Sequence, residues 1–379
     1  MSLEGELQVV LRLNAGRIAA VDIRSTRPEV ATRLLQSRRS DEAQAAVPLL
    51  FSVCAHAQTA ASRLACAAAA GVAPITAALM QARAAVAEES VREAAWQLLL
   101  QQPRWMDETP SSQATAAARA AQDWRFAEAG SDAGADSADT ADGDDGTPAR
   151  AIAQAVFGCS AAAWLQLSTW PAVAGWSAAG GTAAARYLHG LETTALGPAR
   201  SAETPLLPPP TAGWLAAVAA AAAAETETDF TRHPVWQGRP AETGALARLQ
   251  GDPLLGSAAP PAPSRLLARH VARLRELALL LEGRLQPGLG ALALAPGSGV
   301  AWVDTRRGLL VHHVQLDGER VRLYRIVAPT EWNFHPQGAL ANALQDAPAA
   351  GVDAARQHAL RLINSLDPCV SCGIEVQDA

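Results

Sequence analysis

Two cysteines in a Cys-x-x-Cys, Cys369 and Cys372, stand close to the C-terminus, with seven residues after them. Two thiols at this spacing can grip one metal ion or close into a redox disulfide. A zinc centre of the usual kind asks for a second such pair or for two histidines. The sequence has no second pair. Cys54 stands alone, with His56 two residues on, and Cys66 and Cys159 lie singly in alanine-rich surroundings. An isolated cysteine of that sort reads as a buried small apolar residue, and Cys66 and Cys159 are taken so. Two arrangements stay open on these residues: a zinc site using Cys54, Cys369, Cys372 and His56, and a Cys369–Cys372 disulfide. Chain ends fray unless they are tied down, so a terminal metal pair needs elements that hold it.

The composition bounds what those elements can be. The chain has 379 residues, 49% of them hydrophobic and 18% charged, with a formal net charge of −6. No basic surface for nucleic acid is implied. All 31 basic residues are arginine. Five cysteines are too few for a disulfide scaffold and suit a reducing compartment. The start, MSLEGELQVVLRL, lacks the basic region and apolar core of a signal peptide. The most apolar run, Leu64 to Met80, contains Gly71, Pro74 and Thr76 and falls short of the ~20 strongly apolar residues a membrane span needs. A soluble cytoplasmic protein without membrane insertion is expected.

Periodicity predicts a mainly α fold with small antiparallel β elements (α+β). GELQVVLRLNAGRIAAVDIRST alternates around Asn14-Ala15-Gly16, a hairpin signal. From Pro28 to about Trp124 the period is helical, with Pro48 and Pro103 as breaks. Residues 127–146 carry seven acidic residues, no basic ones and nothing apolar larger than alanine. Such a stretch cannot offset its ordering entropy and is expected to be a disordered linker. Further alanine-rich helices are predicted at Trp214 to Glu225 and Ser264 to Leu285. From Gly299 the period is two again, with a turn at Asp317-Gly318, and a last helix over about Gly351 to Leu366 leads to the cysteines. The domains expected are therefore 1–126, carrying Cys54, a linker over 127–150, and 151–379, packed with the first part as one domain.

Four stretches together carry a resemblance. RGLLVHHVQLDGERVRLYRIVAPTEWNFHP, HPVWQGRPAETGALAR, LLQSRRSDEAQAAVPLLFSVCAHAQ and NSLDPCVSC are similar to segments of the large subunit of nickel–iron hydrogenases. The departures narrow the resemblance. Where those enzymes have Cys-Gly-x-Cys followed by histidine, this chain has Phe51, Cys54 and Gln58. Where they have a histidine after the last cysteine, it has Glu375, and the sequence ends four residues later, so a removable C-terminal extension is not expected. Their proton-relay glutamate falls on Thr32, with Glu29 out of register. This pattern resembles the hydrogenase expression/formation proteins of the HupK/HoxV type, large-subunit-like accessory proteins without hydrogenase activity.

The resemblance implies a non-catalytic maturation scaffold for an iron unit carrying cyanide and carbonyl, with other maturation proteins and the hydrogenase large subunit as partners. Carried over by position, Cys54 and Cys372 are the iron ligands, Cys369 supports them, and Arg307 faces the cyanides. Phe51 takes the place of a nickel-only ligand, so no stable nickel is expected. A metal-free chaperone that mimics the large subunit remains an alternative, beside the zinc and redox readings. The roles of His56, His312, His313, His335 and Glu375 stay open.

Overall fold

The computed structural model describes residues 5–25, 34–51, 53–127, 147–193, 204–224, 230–256 and 264–378. The acidic stretch, apart from its first residue, and Glu29 and Thr32 lie outside them.

In chain order the elements begin with strands β1 (Glu6–Asn14) and β2 (Arg17–Ser25). Leu7, Val9, Leu11 and Leu13 of β1 face inward, as the alternation requires. Ala15 and Gly16 take φ of 49° and 73° at the turn, the left-handed pair that a two-residue hairpin matched to strand twist demands. Helices α1 (Ser40–Leu50), α2 (Ala55–Ala69) and α3 (Thr76–Ala95) follow, the last continuing into a π-helical turn at Trp96–Gln101. Pro48 does not break α1 where the sequence suggested; it lies in the last turn, and the helix ends at Leu50. Next come α4 (Ser112–Ala120), α5 (Pro148–Phe157), α6 (Ala161–Leu165), α7 (Trp170–Ala179), α8 (Ala183–Thr193), α9 (Ala212–Ala223), α10 (Ala245–Arg248) and α11 (Arg265–Leu281). Strands β3 (Leu289–Ala295), β4 (Ser298–Thr305), β5 (Gly308–Asp317) and β6 (Arg320–Val327) form an antiparallel sheet in that order. The chain closes with α12 (Pro329–Asn333), α13 (Ala339–Leu344), α14 (Val352–Leu366) and β7 (Ser371–Asp378).

The contacts divide the chain into two interleaved units: Met1–Ala82 with Leu196–Arg248 and Gly288–Ala379, and Arg83–Ala195 with Leu249–Pro287. Each unit takes chain from both sides of the acidic stretch. In the second unit, Arg275 Nε lies 2.7 Å from Asp252 Oδ2, both nearly buried. In the first unit, the four-stranded sheet is covered on both faces, which is why β5 is buried without interruption from Gly308 to Val314. Alanine-rich α2 packs on one face, closely enough that a Cβ at Gly299 would fall 2.3 Å from the Ala69 nitrogen. The other face holds an aromatic core of Trp214, Phe230 and Trp332 around Val300, Leu309 and Val311.

The C-terminal segment forms β7, which pairs parallel to β1 (Leu7 opposite Cys372, Val9 opposite Ile374), so beside the expected antiparallel pairs the sheet β2-β1-β7 is mixed. What anchors the terminus is β1 and the neighbouring α14, with Arg356 donating to the Ile374 carbonyl at 2.8 Å. Ile374 and Val376 are half-buried, on the same side as Cys372.

Candidate functional site

Cys54 is the residue before the first turn of α2, half-buried, with φ −131°. Its carbonyl accepts the Gln58 N–H at 2.9 Å, and its sulfur accepts from the Gln58 side-chain amide, Nε2 to Sγ 3.7 Å. The positive end of the helix dipole lies at this position and favours negative charge on the sulfur. Phe51 ends α1 three residues earlier and is 8% exposed, so it fills space instead of ligating.

Gln58 is buried, and its carbonyl oxygen lies 2.8 Å from His312 Nε2. His312 Nδ1 in turn lies 2.9 Å from the Tyr324 hydroxyl. The sheet register explains the meeting. His312 of β5 pairs with Ala301 and Ile326, and Tyr324 pairs with Val314, which puts both side chains on the face that α2 covers. Burial pushes His312 down to about 3, so it is neutral near pH 7, and the same burial raises the Tyr324 phenol. The neighbouring His313 points to the opposite face, where Nε2 meets Ser298 Oγ at 3.2 Å; burial holds it at about 4. His335 sits against His233, ring centroids 5.6 Å apart, and is also lowered to about 4 by burial and then by His233. His56 and Glu375 are exposed.

At the other end of the chain, Cys369 Sγ lies 3.0 Å from Thr330 Oγ1, and the Cys369 N–H points at the same oxygen at 3.5 Å. Thr330 belongs to the Pro-Thr-x-Trp-Asn segment, which forms α12. Asn333 of that helix accepts the Thr243 N–H at 2.9 Å, and Thr243 Oγ1 accepts the Leu309 N–H at 2.9 Å. Gly308, at φ 135°, makes this possible: a Cβ there would lie 2.4 Å from Thr243 Cγ2. Cys372, on β7, is pushed up to about 11 by burial, with Glu6 adding to it.

Arg307 is half-buried in the turn between β4 and β5, its N–H donating to Thr305 Oγ1 at 3.2 Å. The adjacent Arg306 does what the sequence did not suggest. Its guanidinium pairs with the Asp367 carboxylate, with side chains 5% and 9% exposed. Asp367 ends α14 with φ 51° and directly precedes Pro368-Cys369, so this ion pair fixes where the Cys-x-x-Cys begins.

The structure thus joins Cys54 to His312 and Tyr324 through Gln58, and joins Cys369 to Thr330. Among the described residues it gathers no group of three or more His, Cys, Asp or Glu side chains that could hold a metal ion. None of the five cysteines is joined in a disulfide. Sequence reading passed over Tyr324, Thr330 and Arg306. The signal available for Tyr324 was a polar residue at an inward-facing strand position, and for Thr330 its place in the Pro-Thr-x-Trp-Asn segment.

Residues 292–375, from β3 into β7, match the family model described as nickel-dependent hydrogenase. The hydrogenase expression/formation protein HupK of Rhizobium leguminosarum bv. viciae is 31% identical over 392 residues, 99% of this chain and 97% of that protein. HupK of Azotobacter vinelandii is 32% identical over 397 residues, 100% of both. HoxV of Cupriavidus necator is 40% identical over 195 residues, 47% of this chain and 49% of that protein. Among solved structures, the Ni-Fe-Se hydrogenase of D. vulgaris Hildenborough in the reduced state superposes with a TM-score of 0.56 at 16% identity, covering 94% of each chain. At that identity the likeness concerns the fold, which is a mixed α+β fold of the hydrogenase kind. No helix among the described residues is long and apolar enough to cross a membrane. With end-to-end similarity above 30% identity to two such proteins, the chain belongs to the hydrogenase expression/formation proteins of the HupK/HoxV type.

Proposed function

We propose that this protein is a hydrogenase maturation factor, not itself a hydrogenase, that carries an iron unit bearing cyanide and carbonyl on its way to the hydrogenase large subunit. The iron unit is cargo. Cys54 and Cys372 ligate it, Cys369 stands by, and the Arg307 guanidinium donates to a cyanide nitrogen. Soft thiolates suit low-spin iron whose other positions are filled by small ligands. The observation that carries the reading is the pairing of Phe51 with Cys54. The nickel-only position is a buried phenyl ring, while three residues later a sulfur at a helix start accepts a hydrogen bond from Gln58. Iron needs two protein thiolates; nickel would be left an incomplete sulfur set. Because Cys372 is a thiol in the metal-free protein, loading releases its proton.

The test is metal content and infrared spectra of anaerobically isolated protein. Iron with bands in the cyanide and carbonyl region is expected, without stoichiometric nickel. Cys54→Ala and Cys372→Ala lose the bands and block maturation of the partner hydrogenase. Arg307→Ala weakens retention by ~10–100-fold, as groups supporting metal ligands do. The metal-loaded protein alone takes up no hydrogen. Stoichiometric nickel or zinc, or unchanged bands in Cys372→Ala, overturns the scaffold reading. Normal hydrogenase maturation with both cysteines replaced leaves the metal-free chaperone.

A further inference from the structure

The chain Cys54–Gln58–His312–Tyr324 has a direction. Gln58, His312 and Tyr324 are at most 1% exposed, so water does not complete their bonds. A neutral imidazole offers one N–H and one lone pair. If the Gln58 amide N–H points at Cys54 Sγ, its oxygen faces His312 Nε2 at 2.8 Å, and that nitrogen carries the hydrogen. Nδ1 is then bare and accepts the Tyr324 O–H at 2.9 Å. Reversing any one bond reverses all of them and turns the amide oxygen towards the sulfur. A thiolate, or a sulfur bound to iron, is repelled by that oxygen and attracted by the N–H. Amide and imidazole orientations are decided by such networks, and here a single polarity serves a ligating sulfur.

We propose that Gln58 is a positioning residue for the Cys54 sulfur: an N–H donor aimed from behind by His312 and Tyr324, which draws electron density from the sulfur and so loosens its hold on the iron unit. This rests on the iron reading of the site. A carrier must release its cargo, and a hydrogen bond to a thiolate weakens donation to the metal without removing the ligand. His312 stays neutral through the physiological range, so the direction does not depend on pH there.

Two measurements test it. In anaerobically isolated protein, Gln58→Leu removes the donor, the sulfur donates more strongly, and the carbonyl and cyanide bands move to lower wavenumber. Tyr324→Phe, which leaves Gln58 in place but unlocks its orientation, moves them the same way by less. Unmoved or upward-moving bands in Gln58→Leu overturn the proposal. The second measurement needs no iron: nitrogen-15 magnetic resonance of His312 in metal-free wild type. A protonated Nε2 with a bare Nδ1 is expected, and Tyr324→Phe shifts Nδ1; the opposite tautomer overturns the proposal. If wild type carries no cyanide or carbonyl bands, the iron reading fails by itself, while the His312 tautomer still decides which way Gln58 points. The tautomer in wild type also decides the matter should Gln58→Leu fail to fold.

Discussion

Cys54 and Cys372 are held in opposite ways. Cys54 is positioned by side chains: an amide, an imidazole and a phenol reach it in series from two strands across a helix. Cys372 is positioned by backbone: a parallel ladder to β1, one arginine on the Ile374 carbonyl, and one ion pair where the segment begins. The first arrangement sets the polarity around a sulfur. The second sets the location of a strand and leaves the sulfur to burial and the neighbouring Glu6 carboxylate, which together push Cys372 up to about 11. A side-chain network spreads its support over several groups. A strand held through one buried ion pair concentrates it, and the two ends should therefore break differently.

The largest effect is expected at that ion pair. Arg306→Ala removes the guanidinium from the Asp367 carboxylate in a site where both side chains are under a tenth exposed. Removing one member of such a pair costs about 3–5 kcal/mol. Denaturant unfolding should show the loss, and amide exchange should show β7 losing protection while β5 keeps it. A loss below about 1 kcal/mol would mean that the β1 ladder alone holds the terminus.

Gly299→Ala attacks the Cys54 end through packing. The added methyl meets the α2 backbone at Ala65, Ala68 and Ala69, none of which can swing away. Overpacking of this sort costs about 1–3 kcal/mol. It should lift α2 from the sheet, lengthen the Gln58–His312 bond, and leave β7 protection unchanged.

Acid provides a graded test of the same end. His312 has an ordinary value of 6.5 and is held at about 3 in the fold. Below pH 6.5 the unfolded chain binds a proton that the folded one refuses. Stability is thus full above 6.5 and falls as pH drops towards 3, by about 1.4 kcal/mol per pH unit from this residue. His313 and His335, held at about 4, add to the slope over 6.5 to 4. His312→Gln should reduce the slope by the His312 share, about 2 kcal/mol between pH 6.5 and 5. An unchanged slope would mean that His312 charges in the native state.

Local pattern accounts for what could be read without coordinates. The Asn14-Ala15-Gly16 hairpin, the turn at Asp317-Gly318 and the helix ending at Leu366 depend on neighbours in sequence, and each is found where the period puts it. The pairing of β7 with β1 depends on residues at opposite ends of the chain. Cys372, Ile374 and Val376 do alternate, but alternation does not name a partner. Arg306 and Arg307 are adjacent in a two-residue turn, and spacing cannot say which one turns inward to Asp367. Gln58 was legible in part. It replaces a histidine in the resemblance, and a buried polar side chain among alanines must find a partner. That the partner is His312 rather than His313 follows only from strand register, which fixes the face.

The smallest effect expected is at Cys369, and it separates the two ends most finely. Thr330 is 2% exposed, and its hydroxyl meets both the sulfur and the N–H of Cys369. Thr330→Val keeps the shape and removes the hydroxyl. A neutral hydrogen bond contributes about 1 kcal/mol net, so unfolding should register a loss of that order. The sharper readout is chemical. Without the Thr330 hydroxyl, the Cys369 sulfur should change its rate with an alkylating reagent in the metal-free protein, faster if its S–H donates to that oxygen and slower if the hydroxyl donates to the thiolate. Cys54, whose partner is Gln58, should react at the wild-type rate. An equal change at both cysteines would mean that Thr330 supports the whole unit rather than one sulfur, and the two ends would not be independent. A change at Cys369 alone would establish that Thr330 acts on that sulfur and not on Cys54, leaving Cys372 held by the strand.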